Sequence, residues 1–235
     1  MTDDHFGEAW VYESIVGAIP GLSLPDRVAV VLQFALFEAA VLALGFGYGI
    51  ESAIIPATVA VGVAAVGSAF MLDIASRARD LDLPPAYRRL LFASSVEVVL
   101  GVVAYAALVT YLFAFDARTG PTLVETLLGA RPPLLAVFLL LLVAWDVCYR
   151  IGTGWWTAVV TLHGTLRYDL PSSASADVRA VAGRTLGFAL VQLALLPFLT
   201  THPVLAFAVA GHVLAVGSVL AVAVWLARIR STSSA

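Results

Sequence analysis

One stretch limits what this chain can fold into more than any other: residues 131–156, RPPLLAVFLLLLVAWDVCYRIGTGWW. Its double proline suits a first helical turn, where a missing N–H has no partner to lose. From Leu134, about 20 residues at ~1.5 Å each span the ~30 Å hydrocarbon core of a bilayer. That length ends near Thr153 and places a tryptophan pair where interfacial aromatic side chains belong. The stretch therefore predicts a membrane-spanning helix.

Charged residues inside this apolar block restrict how the helix can face its surroundings. Asp146 and Arg150 share one helical face, with the acid N-terminal to the base, which is the better order for an i,i+4 pair. Tyr149 and Thr153 extend the same stripe. A charge in hydrocarbon costs roughly 2.5–3.5 kcal/mol even on the lowest scales. We therefore expect the stripe to face other helices or water, and not lipid.

The composition agrees with a membrane protein. The chain has 235 residues, of which 61% are hydrophobic and 12% are charged. A soluble domain is about 45–50% apolar and about 25% charged. The net charge of −3 gives no case for nucleic-acid binding. All basic residues are arginine, so lysine chemistry such as a Schiff base is excluded, and the alanine- and valine-rich composition suggests a prokaryotic source.

Hydropathy predicts an all-α polytopic bundle, a single domain of residues 28–230 with six transmembrane helices. The spans are expected at about 28–48, 53–72, 90–115, 134–153, 177–199 and 203–227. Residues 1–27 form an N-terminal segment, for which a surface helix and a loosely ordered tail both stay open. Residues 231–235 form a polar tail.

The segment Thr153–Arg167 decides between six spans and seven. It is moderately apolar and begins within a Gly-Thr-Gly sequence, so we interpret it as a short interfacial or re-entrant helix after the fourth span. Six spans place both termini and ten arginines on one side, with Arg118 and Arg131 on the other. The positive-inside rule then predicts a protein of the cell membrane with both termini in the cytoplasm. A seventh span would move the last five of those ten arginines outside.

Polar residues within the predicted spans are the candidate functional residues. By helix rise, several lie at similar depths in the cytoplasmic half of the bundle, where they could meet. The expected intramembrane cluster consists of Glu38, Glu97, Asp146, Arg150 and Gln192. Tyr149 and His212 are secondary candidates, and His202, in a short turn, is assigned no role.

Structural explanations exist for the same residues. Asp146 and Arg150 could be an ion pair that only fixes helix register, and Glu97 could bond locally to Ser94 or Ser95. His212 in a helix of small residues is more often a satisfied core histidine than a ligand. No catalytic motif, metal-ligand spacing or cofactor fingerprint is present, so no catalytic residue, metal or cofactor is predicted.

These patterns favour a small transport or permeation protein that uses the acids to carry a proton or a small cation in a lipid bilayer. The alternative is a structural or partner-binding membrane subunit, whose glycine and alanine faces would also allow an oligomer. A membrane enzyme acting on lipid is a third hypothesis, although no nucleophile–base pattern supports it. A water-accessible cavity lined by two of the acids would favour transport, and a dry, paired cluster would favour the structural subunit.

Overall fold

A computed structural model describes residue 10 and residues 24–80, 85–92, 95–118, 120–167 and 172–233. The expectations for most of residues 1–27 lie outside this described part. The α-helices are α1 (Asp26–Gly47), α2 (Ile54–Asp80), α3 (Pro85–Phe92), α4 (Val96–Thr110), α5 (Leu123–Leu128), α6 (Leu134–Arg167), α7 (Ser172–Val191) and α8 (Pro203–Ser233). Glu51–Ala53, Asp116–Arg118 and Gln192–Phe198 are 3-10 helices, and Tyr111–Phe115 is a π-helix.

In the described part of the chain, six helical stretches are long and apolar enough to cross a membrane. They are Asp26–Gly47, Glu51–Arg77, Arg89–Arg118, Leu134–Arg167, Val178–Phe198 and Pro203–Arg230. Large apolar side chains on these stretches point outward: Leu36, Phe138 and Phe207 are 61%, 63% and 77% exposed. So much exposed apolar surface is expected for helices that contact lipid. The predicted all-α bundle of six spans is confirmed, and the chain is a multi-pass membrane protein.

Helix α6 is the centre of the bundle. It packs against α1, α2, α4, α7 and α8, whereas α1 packs mainly against α2. Its inward face carries small and polar residues, including Gly152, Thr153 and Thr157, all of them buried. Small residues let helix backbones approach closely inside a membrane, where no hydrophobic effect drives helices together.

The prediction that Thr153–Arg167 forms a separate interfacial or re-entrant helix is wrong, because α6 continues through it as one helix of 34 residues. Two glycines cost only about 1 kcal/mol each in a helix. The lower hydropathy of the segment comes from buried threonines: the hydroxyls of Thr157 and Thr161 donate to carbonyls one turn earlier on α6, at 2.8 and 2.7 Å. These polar groups are satisfied inside the bundle and need no contact with the membrane surface.

The third span, which the sequence predicts as one helix, is interrupted instead. Helix α3 ends at Phe92 and α4 begins at Val96, with Ser95 between them at φ 53. Few non-glycine residues adopt this left-handed conformation within a helix. A regular helix therefore does not run through Ser95. Near its other end the span changes into the π-helix Tyr111–Phe115.

We name the two ends of the bundle by their contents. At the arginine-rich end, α2, α6 and α8 end and α3 and α7 begin. There Arg184 pairs with Asp73, and Arg230 donates to the backbone carbonyls of Thr165 and Leu166. At the loop end, α1 and the third span end, and α6 and α8 begin. The contacts between distant parts of the chain therefore fix which helix ends lie together.

Tyr87 closes the arginine-rich end from α3. Its ring covers Gly164 of α6 so closely that a Cβ on this glycine would lie 2.4 Å from a ring carbon. Burial raises the pKa of the Tyr87 phenol to about 12, and a hydrogen bond with Thr161 opposes this shift only in part. The phenol is consequently a neutral packing group at any physiological pH.

Candidate functional site

The Asp146–Arg150 pair is buried in the middle of the bundle. The guanidinium of Arg150 donates to both carboxylate oxygens of Asp146, with Nε 3.0 Å from Oδ2 and Nη2 2.6 Å from Oδ1. The two side chains are 0% and 1% exposed. A two-pronged contact between these planar groups is the strongest geometry available to an Arg–carboxylate pair.

Two further polar residues complete this pair, and both come from other helices. Gln33 of α1 donates its amide to Oδ2 of Asp146 at 3.4 Å. Ser68 of α2 donates its hydroxyl to the carbonyl oxygen of Gln33 at 3.0 Å. We call Gln33, Ser68, Asp146 and Arg150 the paired cluster. It connects three helices through a continuous series of hydrogen bonds.

Apolar groups pack tightly against the side chain of Arg150. Nη1 of Arg150 lies 3.3 Å from the sulfur of Met71. A Cβ on Gly67 would lie 2.5 Å from the Cδ of Arg150 and 2.7 Å from the ring of Phe188. The paired cluster is therefore dry and internally satisfied, an arrangement that fixes helix positions and offers no unused ligand atom on Asp146.

Glu38 lies apart from the paired cluster. Its Oε1 accepts a hydrogen bond from the hydroxyl of Thr58 on α2 at 2.8 Å, and the side chain is partly buried. This carboxylate therefore joins α1 to α2 nearer the loop end. Among the described residues, no hydrogen bond connects it to Asp146 or to Glu97.

Glu97 occupies the first turn of α4, directly after the interruption of the third span. Its side chain is 0% exposed. Neither carboxylate oxygen has a hydrogen-bond partner among the described residues. The local bond to Ser95 considered from the sequence is therefore absent, and Ser94 lies outside the described residues. Glu97 differs from Asp146 in this respect: it is equally buried and unpaired.

Glycines bring the backbone of α4 against α6 beside Glu97. A Cβ on Gly152 would lie 2.5 Å from the backbone nitrogen of Gly101 and 2.9 Å from the carbonyl oxygen of Glu97. Gly101 in turn lies against Tyr149, whose Cα would be 3.0 Å from an added Cβ. By the helix rise, Gly152 is about 9 Å further along α6 than Asp146. Asp146 on α6 and Glu97 on the neighbouring α4 therefore lie at different levels along the central helix.

The interruption before Glu97 leaves carbonyl groups at the end of α3 without their usual helical donors. Two tryptophans supply the missing donors. The indole N–H of Trp156 lies 3.1 Å from the carbonyl oxygen of Leu90, and that of Trp10 lies 3.1 Å from the carbonyl oxygen of Leu91. The helix break is therefore a stabilised part of the fold, since residues from α6 and from the N-terminal segment both satisfy it.

The other predicted polar residues occupy separate places. Gln192 begins the 3-10 segment after α7; it is 1% exposed, and neither atom of its amide group has a partner in the described part of the chain. That segment packs on α2 and α8, whereas α4 packs on α6. The ring of His212 lies 6.4 Å from that of Trp155. Tyr149 is buried beside Trp145, with ring centroids 6.2 Å apart.

Sequence reasoning missed a second polar group at the loop end. Asp116 accepts hydrogen bonds from the hydroxyl of Tyr111 at 3.1 Å and from the backbone N–H of Leu123 at 2.6 Å. Nδ1 of His202 lies 3.0 Å from Oδ1 of the same carboxylate. The sequence signals are weak: an acid at a span end and a histidine before a proline both resemble ordinary loop residues. In the described part of the chain, no three His, Cys, Asp or Glu side chains are placed to hold a metal ion.

Comparison with known proteins adds one match. Residues 5–223 match the model of a family of unknown function, DUF7530. The chain belongs to this family. No curated protein and no solved structure matches it. The family match covers all six spans up to the last turns of α8, so the interrupted third span and the paired cluster both lie within the region that defines the family.

Proposed function

We propose that this membrane protein moves protons or a small cation, with Glu97 as the exchanging carboxylate. The observation that carries the proposal is a fully buried acid beside a helix interruption, with no hydrogen-bond partner for its carboxylate among the described residues. An ionised carboxylate in an apolar environment is costly unless something neutralises it. Here the neutralising species has to be a proton or a bound cation, because among the described residues no protein donor fulfils that role.

The helix interruption gives Glu97 a second property that suits exchange. It lies in the first turn of α4, where the helix dipole favours a negative charge. Broken helices that place such ends inside the bilayer are a recurring feature of transporter binding sites. The dipole would lower the cost of the anionic state enough for the group to release its proton and take it up again.

Of the three acids in the predicted cluster, the same reasoning leaves only Glu97 as the candidate for proton or cation exchange. Asp146 is neutralised by Arg150, so releasing or binding a proton there would break an ion pair inside the protein. Glu38 is partly exposed, and its Oε1 has a hydroxyl donor, although its Oε2 is buried without a partner among the described residues. Both acids are better suited to holding helices together than to exchange.

The direction of transport depends on orientation. We propose that the arginine-rich end faces the cytoplasm of the cell, because cytoplasmic loops carry the excess of arginine in membrane proteins. Both termini would then be cytoplasmic, and Glu97 would lie in the cytoplasmic half of the bundle. Cysteines introduced at Ser76 and Thr122 should be labelled by an impermeant reagent from opposite sides of the membrane.

Flux measured in reconstituted vesicles tests the proposed function. Purified protein in liposomes with an internal pH dye should dissipate an imposed pH gradient faster than empty liposomes. Glu97→Gln should slow that rate at least tenfold while the protein stays folded. Glu38→Gln is the matched control, since it makes the same change at an acid that has a partner.

The alternative function, a structural or partner-binding subunit, is favoured by the dry and satisfied paired cluster. It predicts that wild-type vesicles behave like empty ones under pH gradients and under potassium or sodium gradients. That result would refute the transport proposal, as would equal rates for wild type and Glu97→Gln.

A further inference from the structure

The group around Asp116 at the loop end contains a buried ionisable pair that the proposed function does not use. Asp116 and His202 are 2% and 4% exposed, and they lie 86 positions apart in the sequence. The pair joins the end of the third span to the start of α8. The backbone of Leu123, the first residue of α5, also donates to Asp116, so three elements meet at one carboxylate.

A π-helix forms this arrangement. Tyr111 and Asp116 are five residues apart, and in an α-helix at 3.6 residues per turn this spacing would turn their side chains well away from each other. The wider turn of the π-helix Tyr111–Phe115 brings positions i and i+5 into line. The hydroxyl of Tyr111 can then reach Oδ1 of Asp116. Single π-turns of this kind occur frequently at functional sites.

The hydrogen bonds determine which ring nitrogen of His202 carries a hydrogen. The Asp116 carboxylate is an acceptor, so Nδ1 of His202, at 3.0 Å from it, is the donor. In a neutral ring the other nitrogen, Nε2, is then a bare acceptor. Nε2 of His202 is buried and has no hydrogen-bond partner among the described residues. A proton bound to Nε2 would satisfy this nitrogen, and the Asp116 carboxylate on the other side of the ring would balance the positive charge.

Few other charged groups surround the imidazole. On the third span the neighbouring groups are Tyr111, Asp116 and the exposed Arg118. On α5, Glu125 is exposed and accepts from the backbone and hydroxyl of Thr122. On the other elements at this end, Glu51 of the first 3-10 helix and Arg131 before α6 are exposed. His212 lies more than two turns further along α8. Within the described residues, Asp116 alone forms an ion pair with His202.

We propose that His202 and Asp116 form a proton-binding site at the loop end of the bundle. A proton from the adjacent solution forms an N–H bond with Nε2 of His202, and no bond to Nδ1 breaks. The ring becomes an imidazolium whose charge is balanced by the Asp116 carboxylate. The site is distinct from Glu97, lies at the other end of the third span, and does not depend on whether the protein transports anything.

Nitrogen NMR of the histidine rings in the full chain, in detergent micelles, tests this site. The chain has four histidines, so the spectrum is small, and His202→Gln assigns the relevant signals by their loss. At pH 8 we expect His202 to carry its hydrogen on Nδ1, and on acidification to pH 5 we expect Nε2 to become protonated. A ring that stays neutral down to pH 5, or one with its hydrogen on Nε2 at pH 8, would overturn the proposal.

Two variants test the role of the carboxylate. Asp116→Asn should lower the midpoint of the His202 titration by about one pH unit or more, because an opposite charge within hydrogen-bond distance favours the charged ring. Tyr111→Phe is the conservative variant if Asp116→Asn does not fold. It removes a competing donor from the carboxylate and should raise the midpoint. A midpoint that moves in neither folded variant would show that Asp116 does not hold the proton on His202.

Discussion

Asp146 and Glu97 are both acids of membrane-spanning helices, Asp146 on α6 and Glu97 on α4, which packs against α6, and their exposure is 1% and 0%. Asp146 accepts from Arg150 and Gln33, so its charge and its hydrogen-bonding capacity are both used. Neither oxygen of Glu97 has a partner among the described residues. Burial alone therefore does not distinguish a structural acid from a candidate functional acid.

The difference follows from the local backbone. Asp146 lies within an unbroken helix, whose i,i+4 spacing places an arginine directly beside it. The position four residues after Glu97 on α4 is Gly101, which has no side chain, so the arrangement that pairs Asp146 with Arg150 cannot form there. A satisfied acid contributes to the stability of the fold, whereas an unsatisfied acid costs stability and is retained for another reason. The experiments below test this distinction through the free energy of unfolding.

The largest effect is expected from Asp146→Ala. It leaves Arg150 as a buried, uncompensated charge, which typically costs ~3–5 kcal/mol. Arg150→Met should cost less, because Asp146 can take up a proton whereas arginine cannot lose one. The double variant Asp146→Leu with Arg150→Met should recover much of the loss. Thermal unfolding in a single detergent measures all three.

Additivity is the outcome that would contradict this prediction. If the double variant loses as much stability as the two single variants together, the residues are not energetically coupled. The buried pair would then contribute nothing through its mutual contact. The hydrogen bonds to Gln33 and Met71 would have to account for the loss in each single variant.

Gly152→Ala should have the next largest effect, although it changes no polar group. Its Cβ would meet backbone atoms of Gly101 and Glu97, at 2.5 and 2.9 Å, and backbone cannot rotate away. Forcing α4 from α6 should cost about 1–3 kcal/mol. Gly154→Ala is the matched control, because its nearest contact is 3.8 Å, to Phe188. Equal stability of the two variants would mean that the contact between α4 and α6 is not tight.

The six spans were predictable from the sequence because lipid imposes a simple requirement. A helix that crosses hydrocarbon needs about 20 apolar residues, and this condition is visible in the order of residues alone. The contact between Asp146 and Arg150 could also be anticipated, since the i,i+4 spacing lies within one helix. In both cases the determining information is local.

The partners of these residues could not be predicted, because they depend on how each helix is rotated in the bundle. Gln33 and Ser68 reach Asp146 from two other helices. The break at Ser95 has no proline or glycine to announce it; the indole groups of Trp10 and Trp156 stabilise it from distant positions. The moderate hydropathy of Thr153–Arg167 suggested a surface helix, since sequence alone does not show that its threonines face inward.

Ser68→Ala should have a smaller effect that tests the edge of the paired cluster. The substitution leaves the carbonyl oxygen of Gln33 without its donor in a buried position, at an expected cost of about 1 kcal/mol. Ser218→Ala is the control, because its exposed hydroxyl bonds only to the carbonyl of Leu214 on its own helix. The control should change stability by less than about 0.5 kcal/mol. A silent Ser68→Ala would show that the cluster ends at Gln33.

The smallest effect on stability is expected from Glu97→Leu, although Glu97 is as buried as Asp146. Leucine fills a similar volume and removes a carboxyl group that has no partner in the described part of the chain. The gain from removing this buried polar group should offset the lost interaction with the first turn of α4. We expect unfolding to change by less than about 1 kcal/mol, on the stabilising side, because an unsatisfied polar group contributes little to the fold. The measurement is thermal unfolding in the same detergent as for Asp146→Ala.

If Glu97→Leu instead loses as much stability as Asp146→Ala, then Glu97 holds the third span in place through a partner, and the contrast between the two acids disappears. If Glu97→Leu keeps its stability but loses proton flux, Glu97 is needed for flux and not for the fold.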